Sequence, residues 1–553
     1  MSRLARTTFL GVVLVAGAAL AQGQIIIING DPPGQGFNDP TPAVPIGGNT
    51  GTTLGEQRLQ VFETAAGIWE ATLHPKLDIR VLATFEPLPP NVLGSAGTLF
   101  IYADFPGAEL PGTWYHVALA NQLSGVDLAA VETGDPNVPH IRARFTTQFP
   151  FYFGLDNNEL PGTTDLLVVL LHEIGHGLGF ANFANEQTGA LTLDTPDIYS
   201  QYTLDVTTGK VWNQMTDQER AASAIRVGLV SWSGVNTAKD TPKVLQLGDP
   251  TVIISSPSGL GPFVAGTASF GPALTPGGTS AQVVQALDPA IPVTSPTTTD
   301  ACSALTNAAA VAGKIAFLDR GTCAFTQKVL NAQNAGAIGV IVRDNAAGDP
   351  PAGLGGTDPT ITIPSVRVSI TAGNQIRTAL GSGPVTATLK LDTSRRAGTD
   401  SVLGLMRLAA LNPVALGSSI SHVDSTAFPN QLMEPAINAD LTKVVVPPAD
   451  LTTSVFTDEG WFSDQDGVPD GVDQCIGSPR ADPVEIGACV TKARNLVFFN
   501  GCRIADLVND CGQPGPGFTE CVRALSDQLY AANVLSKREA QSLWQCAKAE
   551  SRN

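Results

Sequence analysis

Apolar residues recur through residues 53–73 at Val61, Ala65, Ile68 and Leu73, a spacing that predicts a helix with one buried face. Residues 77–83 then alternate between apolar and polar positions, which predicts a strand with one side on a core. The run Leu166-Leu167-Val168-Val169-Leu170-Leu171 has no polar side at all, so it predicts a central helix buried all round. Thr163 or Thr164 can cap its start, and Asp165 suits its first turn. Farther along, residues 314–318 and 338–342 read as strands flanking a helix over 325–335. A strand over 363–368 and a helix from Thr371 complete that small mixed unit. Residues 450–461 predict one more helix. A chain of 553 residues with this sequence of elements should be α+β and hold more than one domain.

The apolar helix runs into Leu171-His172-Glu173-Ile174-Gly175-His176-Gly177-Leu178-Gly179-Phe180. His172 and His176 are four apart, so a helix stacks them on one face, where two neutral imidazoles can share a zinc ion. Glu173 is then positioned to accept a proton from a water that the metal activates. Histidines and a glutamate at the end of a buried helix need partners, and a metal supplies them. Gly175, Gly177 and Gly179 each weaken a helix, which implies close approach to the backbone and a turn at Gly179. A third ligand is missing from the motif. His74, His116, His140 and His422 are the other histidines. Glu186 or Asp194 could complete a site with a carboxylate.

The motif His172-Glu173-Ile174-Gly175-His176-Gly177-Leu178-Gly179 resembles the metzincin metalloproteases. Their usual third ligand falls at Asn182 here, and a neutral amide binds zinc poorly. Residues 417–424 end in Ser421-His422-Val423-Asp424, and Pro429-Asn430-Gln431-Leu432-Met433-Glu434-Pro435 follows. This arrangement resembles the leishmanolysin-type metzincins, in which an insertion delays the third histidine. The resemblance implies His422 as third ligand, Met433 as the Met-turn residue below the metal, and Glu173 as the general base of a zinc endopeptidase. Val423 departs from the aromatic residue common at its position. Met215 has no histidine shortly before it, so it makes no comparable turn.

His422 follows His176 by 246 positions. Within that gap, Gly313-Lys314-Ile315-Ala316-Phe317-Leu318-Asp319-Arg320-Gly321-Thr322-Cys323 and the segment through residue 342 resemble the protease-associated (PA) domain. The resemblance covers about residues 246–395 and implies a non-catalytic lid or docking surface. The reading therefore divides the chain into a catalytic part at 22–245, an inserted PA domain at 246–395 and a second catalytic part at 396–461. The ends of such an insert should lie close together.

Composition adds a compartment. Arg3 and Arg6 precede an apolar stretch from about residue 9 to 20, and Ala19-Leu20-Ala21 suits cleavage, so residues 1–21 read as a signal peptide of a secreted protein. Asp and Glu number 50 against 32 Lys and Arg, and without a basic run neither nucleic acid nor an anionic membrane is an expected partner. Protein or peptide substrates are. All eight cysteines lie at or after Cys302, and an even count in a secreted chain reads as disulfides. Cys302 and Cys323 form one candidate pair. The other six crowd residues 475–546, five of them within a Cys-rich C-terminal region over 481–553, a second candidate docking module.

Residues 464–475 resemble a thrombospondin type 3 calcium loop, which implies Asp464, Asp466, Asp470 and Asp473 as Ca2+ ligands in a segment over 462–480. Two rival functions stand beside the endopeptidase: a catalytically inactive binding protein with a structural zinc, and a zinc aminopeptidase, since some of those carry PA domains.

Overall fold

The computed structural model describes residues 23–551 apart from 292–295, 346–350, 439, 463–467, 469–473, 476–477, 480 and 513–514. The stretch read as a signal peptide and the four aspartates read as calcium ligands lie outside the described residues.

The chain is α+β. Its first sheet has four strands in the order Ile25–Asn29, Ile79–Glu86, Ile141–Thr146 and Gly94–Thr98. The first three are parallel, and Gly94–Thr98 closes the edge antiparallel, with Gly94 opposite Phe145 and Thr98 opposite Ile141. Alternation works as the sequence implies: Ile79, Val81, Ala83 and Phe85 are buried while the residues between them are half-buried. The helix Leu54–Leu73 starts at a capping box, in which Thr53 Oγ1 accepts from Glu56 N and the Glu56 carboxylate accepts from Thr53 N.

The helix Leu166–Leu178 is buried along its whole length. Its cap differs from the sequence expectation. Thr164 and Asp165 pair with Phe151 and Tyr152 in a short parallel ladder, so the extended backbone runs one residue farther. Asp165 is therefore the cap itself, its Oδ1 accepting from Leu167 N at 2.8 Å. Trp69 of the first helix donates from Nε1 to the Leu171 carbonyl at 3.2 Å, which fastens the two helices together.

The chain leaves this unit at the strand Leu247–Ser256 and returns through Val385–Arg396. The two strands are antiparallel neighbours with Leu247 opposite Arg396, so the points of departure and return lie side by side. Between them, Thr279–Gln285, Ile315–Asp319, Gly339–Arg343 and Ser365–Val368 form the parallel centre of an eight-stranded mixed sheet. Helices Phe325–Asn334 and Ile370–Ser382 cover it, and Cys302 is bonded to Cys323.

After the return, Met406, Leu408, Ile420, Val423, Met433, Phe456 and Trp461 join Phe62, Trp69, Leu171 and Phe180 in one hydrophobic core. Two chain segments thus complete a single core. The helix Thr452–Glu459 closes it. A separate C-terminal core packs Pro516–Ala531 against Lys537–Glu550, with disulfides Cys475–Cys502, Cys489–Cys546 and Cys511–Cys521. Among the described residues no helix is long and apolar enough to cross a membrane.

Candidate metal centre

The last turns of the buried helix carry His172 and His176, and the loop after the inserted sheet carries His422. Their Nε2 atoms converge: His176 lies 3.1 Å from His172 and 3.2 Å from His422, and His422 lies 3.2 Å from His172. Among the described residues this is the group of His, Cys, Asp and Glu whose ligand atoms can reach one ion. Glu186 and Asp194 lie outside it, and Asp194 is exposed.

The hydrogen bonds behind the rings fix which nitrogen faces inward. Nδ1 of His172 is 2.7 Å from the Leu432 carbonyl, and Nδ1 of His176 is 2.7 Å from the Phe180 carbonyl. A carbonyl only accepts, so both Nδ1 atoms carry protons and both Nε2 atoms present lone pairs. Three rings aim their Nε2 atoms at one point, and two of them at least bring lone pairs, which is repulsive unless a cation sits between them. Zinc held at 2.0–2.1 Å in tetrahedral geometry needs ligand atoms about 3.3 Å apart, and the cluster meets that spacing. Burial pushes the His172 ring down to about 4 and the His176 ring down to about 3, against the opposing pull of those carbonyls. Burial holds His422 well below its usual range too. All three are in the neutral, ligand-competent form at neutral pH.

Glu173 packs against the edge strand. A Cβ on Gly94 would stand 3.0 Å from Glu173 Oε1, so only glycine leaves the carboxylate its place. Burial pushes this carboxyl up to about 8, partly offset by a hydrogen bond from the Ala96 backbone. Met433 lies beneath the helix: a Cβ on Gly175 would stand 3.0 Å from Met433 Sδ. Gly177 makes room for Ile141 in the same way, at 2.5 Å, and Gly179 for Glu459, at 2.7 Å. These contacts are the close approaches that the three glycines imply.

Asn182 is occupied elsewhere. Its backbone N donates to Ser421 Oγ at 3.0 Å, and its amide, turned to satisfy its neighbours, donates to the Ala184 carbonyl and Glu186 Oε1. It ties the His422 loop down without joining the cluster. His140 is bonded to Asp127 at 3.2 Å, and His74 caps the first helix at its C-terminal end. Met215 is buried against Arg220, which donates to its carbonyl.

Several contributors were invisible in the sequence. The Leu432 and Phe180 carbonyls are backbone groups. Asp450, buried at the start of the closing helix, accepts from Leu432 N at 2.6 Å and so holds the residue whose carbonyl orients His172. Tyr199 donates to the Ile420 carbonyl at 3.0 Å.

A three-histidine centre beside a buried carboxylate, in an α+β unit interrupted by a mixed sheet, is the class that fold and site define. The inserted segment has a family: residues 279–376 match the PA domain. Known proteins match over limited stretches. Minor extracellular protease Vpr of Bacillus subtilis is 36% identical over 86 residues, 16% of this chain and 10% of that protein. The probable lipoprotein aminopeptidase LpqL of Mycobacterium tuberculosis is 31% identical over 115 residues, 21% of this chain and 22% of that protein. The human ER degradation-enhancing alpha-mannosidase-like protein 3 is 60% identical over 47 residues, 8% of this chain and 5% of that protein. The chain thus spans less than a quarter of each of these relatives, whose names denote different chemistries. Among solved structures, the zinc aminopeptidase BSAP from Bacillus subtilis aligns at 18% identity over 38% of this chain and 44% of its own, with a TM-score of 0.20. That score is too low to carry a fold assignment.

Proposed function

We propose that the protein is a secreted zinc-dependent endopeptidase of the metzincin type, leishmanolysin-like, with a PA domain inserted before its third ligand. The observation that carries the reading is the convergence of His172, His176 and His422, with Glu173 next to His172 in the chain. The three imidazoles would hold the metal. Zinc, when bound there, supplies Lewis acidity toward a water and toward the scissile carbonyl. Glu173 accepts the proton of the attacking water and delivers it to the leaving amine. A nearby cation favours the carboxylate form of Glu173 against the burial that raises its pKa. The strand Gly94–Thr98 stands at the edge of its sheet, where an extended peptide can lie alongside it. The retained Glu173 supports catalysis over a structural zinc, which needs no base.

Location outside the cell is supported by four disulfides and the N-terminal sequence pattern. A calcium ion at Asp464, Asp466, Asp470 and Asp473 remains part of the proposal on sequence grounds alone. The aminopeptidase names among the relatives favour a second reading, an exopeptidase that requires a free N-terminus. One assay separates the readings. Casein and N-terminally blocked peptides should be cleaved, and a chelator should abolish cleavage until zinc is restored. Cleavage restricted to unblocked peptides would favour the aminopeptidase; zinc binding without any turnover would favour the inactive binding protein.

A further inference from the structure

A cavity of about 240 Å³ lies between the PA unit and the segment that carries His422. Phe263, Val264 and Thr371 line it from the PA side, and Gly228, Arg407 and Asp424 from the other. Arg407 is only 3% exposed. Its Nη2 is engaged, donating to Thr426 Oγ1 at 2.6 Å and to Asp249 Oδ1 at 3.4 Å. Its Nε is sealed from solvent without an acceptor. Its Nη1 makes no hydrogen bond to a described residue and would stand 3.5 Å from a Cβ placed on Gly228, on the cavity wall. Asp424 offers less: Thr426 occupies Oδ1, and Oδ2 is closed off from solvent. The cation on the cavity wall is the guanidinium of Arg407, paired on its other side with Asp249.

Across from it begins the 13-residue helix Ile370–Ser382. Ser369 caps it by accepting from Ala372 N, while the N–H groups of Ile370 and Thr371 have no acceptor within the helix. A helix start favours an anion, and a buried arginine with idle donors favours one more strongly. Phe263 and Val264 add an apolar wall.

We propose that this interdomain cavity binds a small carboxylate with an aliphatic body, the chemistry of the C-terminal residue of a short peptide. The carboxylate takes Arg407 Nη1 and the first turn at Thr371, and the aliphatic body lies on Phe263 and Val264. Such a ligand touches the PA unit and, through Arg407, the chain segment that carries His422. The proposal stands independently of the peptidase reading, because its test is binding.

Calorimetric titration of the full chain should use N-acetylleucine, leucinamide and inorganic phosphate. N-acetylleucine should bind one per chain, leucinamide should not bind, and phosphate should bind about tenfold more weakly or worse. Thr371→Glu, at an exposed position that suits a helix start, should weaken N-acetylleucine about tenfold or more. Arg407→Lys, which keeps a cation beside Asp249, should do the same; if that variant fails to fold, Thr371→Glu decides alone. Leucinamide binding as well as N-acetylleucine would overturn the proposal. So would N-acetylleucine binding that Thr371→Glu leaves unchanged, since the carboxylate would then sit elsewhere, for instance at the histidine cluster. No saturable binding by any probe up to about 10 mM would leave a cavity that holds water only, and the proposal would fail.

Discussion

At the scale of single residues, the proposed centre divides into groups that would hold a metal and a group that would move a proton. Glu173 makes no contact that the three histidines need, so Glu173→Gln should keep one zinc per chain and lower kcat by about 100-fold or more. Metal analysis beside peptide turnover checks this, and near-normal turnover would end the general-base role. Asp450 has a quieter part. It accepts from Leu432 N at 2.6 Å and from Thr452 N at 2.8 Å, which pins the carbonyl that orients His172. Asp450→Ala should weaken zinc about 10- to 100-fold in a competition titration, whereas Asp450→Asn, which keeps an acceptor oxygen, should lose less. Equal affinity in the wild type and the alanine variant would remove Asp450 from the positioning chain. The histidines were legible because their chemistry resides in the side chain and their spacing is helical. Asp450 was not, because an aspartate before a helix reads as an ordinary cap and its partner is a backbone N–H from a distant loop.

At the scale of elements, glycines inside two helices have opposite consequences. Gly67 is exposed on Leu54–Leu73, and an added methyl there meets nothing within 4 Å. Gly177 faces Ile141, whose side chain would stand 2.5 Å from the new methyl. Gly67→Ala should therefore stabilise by up to about 1 kcal/mol from helix propensity alone. Gly177→Ala gains the same propensity but pushes the histidine helix off the sheet, an overpacking cost of about 1–3 kcal/mol. Its net effect should be destabilising, and urea unfolding of both variants would reveal a difference in sign. Two stabilising substitutions would mean that Ile141 yields freely. The sequence disclosed most elements, because burial follows period. It misplaced the histidine helix's cap, since the ladder from Thr164–Asp165 to Phe151–Tyr152 depends on a partner that local pattern does not contain.

At the scale of the whole molecule, the centre is assembled from two segments that the PA unit separates along the chain but not in space. Leu247 lies opposite Arg396, and Gln246 N donates to the Phe428 carbonyl while Ala397 N donates to the Gln246 carbonyl. These bonds secure the junction on the side of the histidine cluster. The core around the histidine helix and the cores of the inserted sheet share no residue. Thr251 is paired with Lys390, and a two-residue Asn-Gly turn can close an antiparallel ladder at that point. Replacing residues 252–389 with that turn retains Asp249, the partner of Arg407. The shortened chain should bind one zinc and cleave small blocked peptides at a rate within about threefold of the full chain, since a two-residue closure adds little loop entropy. Turnover of a folded protein substrate should fall further if the PA unit docks it. Loss of zinc from a shortened chain that still unfolds cooperatively would show instead that the PA unit holds the His422 loop in place. The second chain segment would then need the insert itself, as well as the shared core, to complete the site.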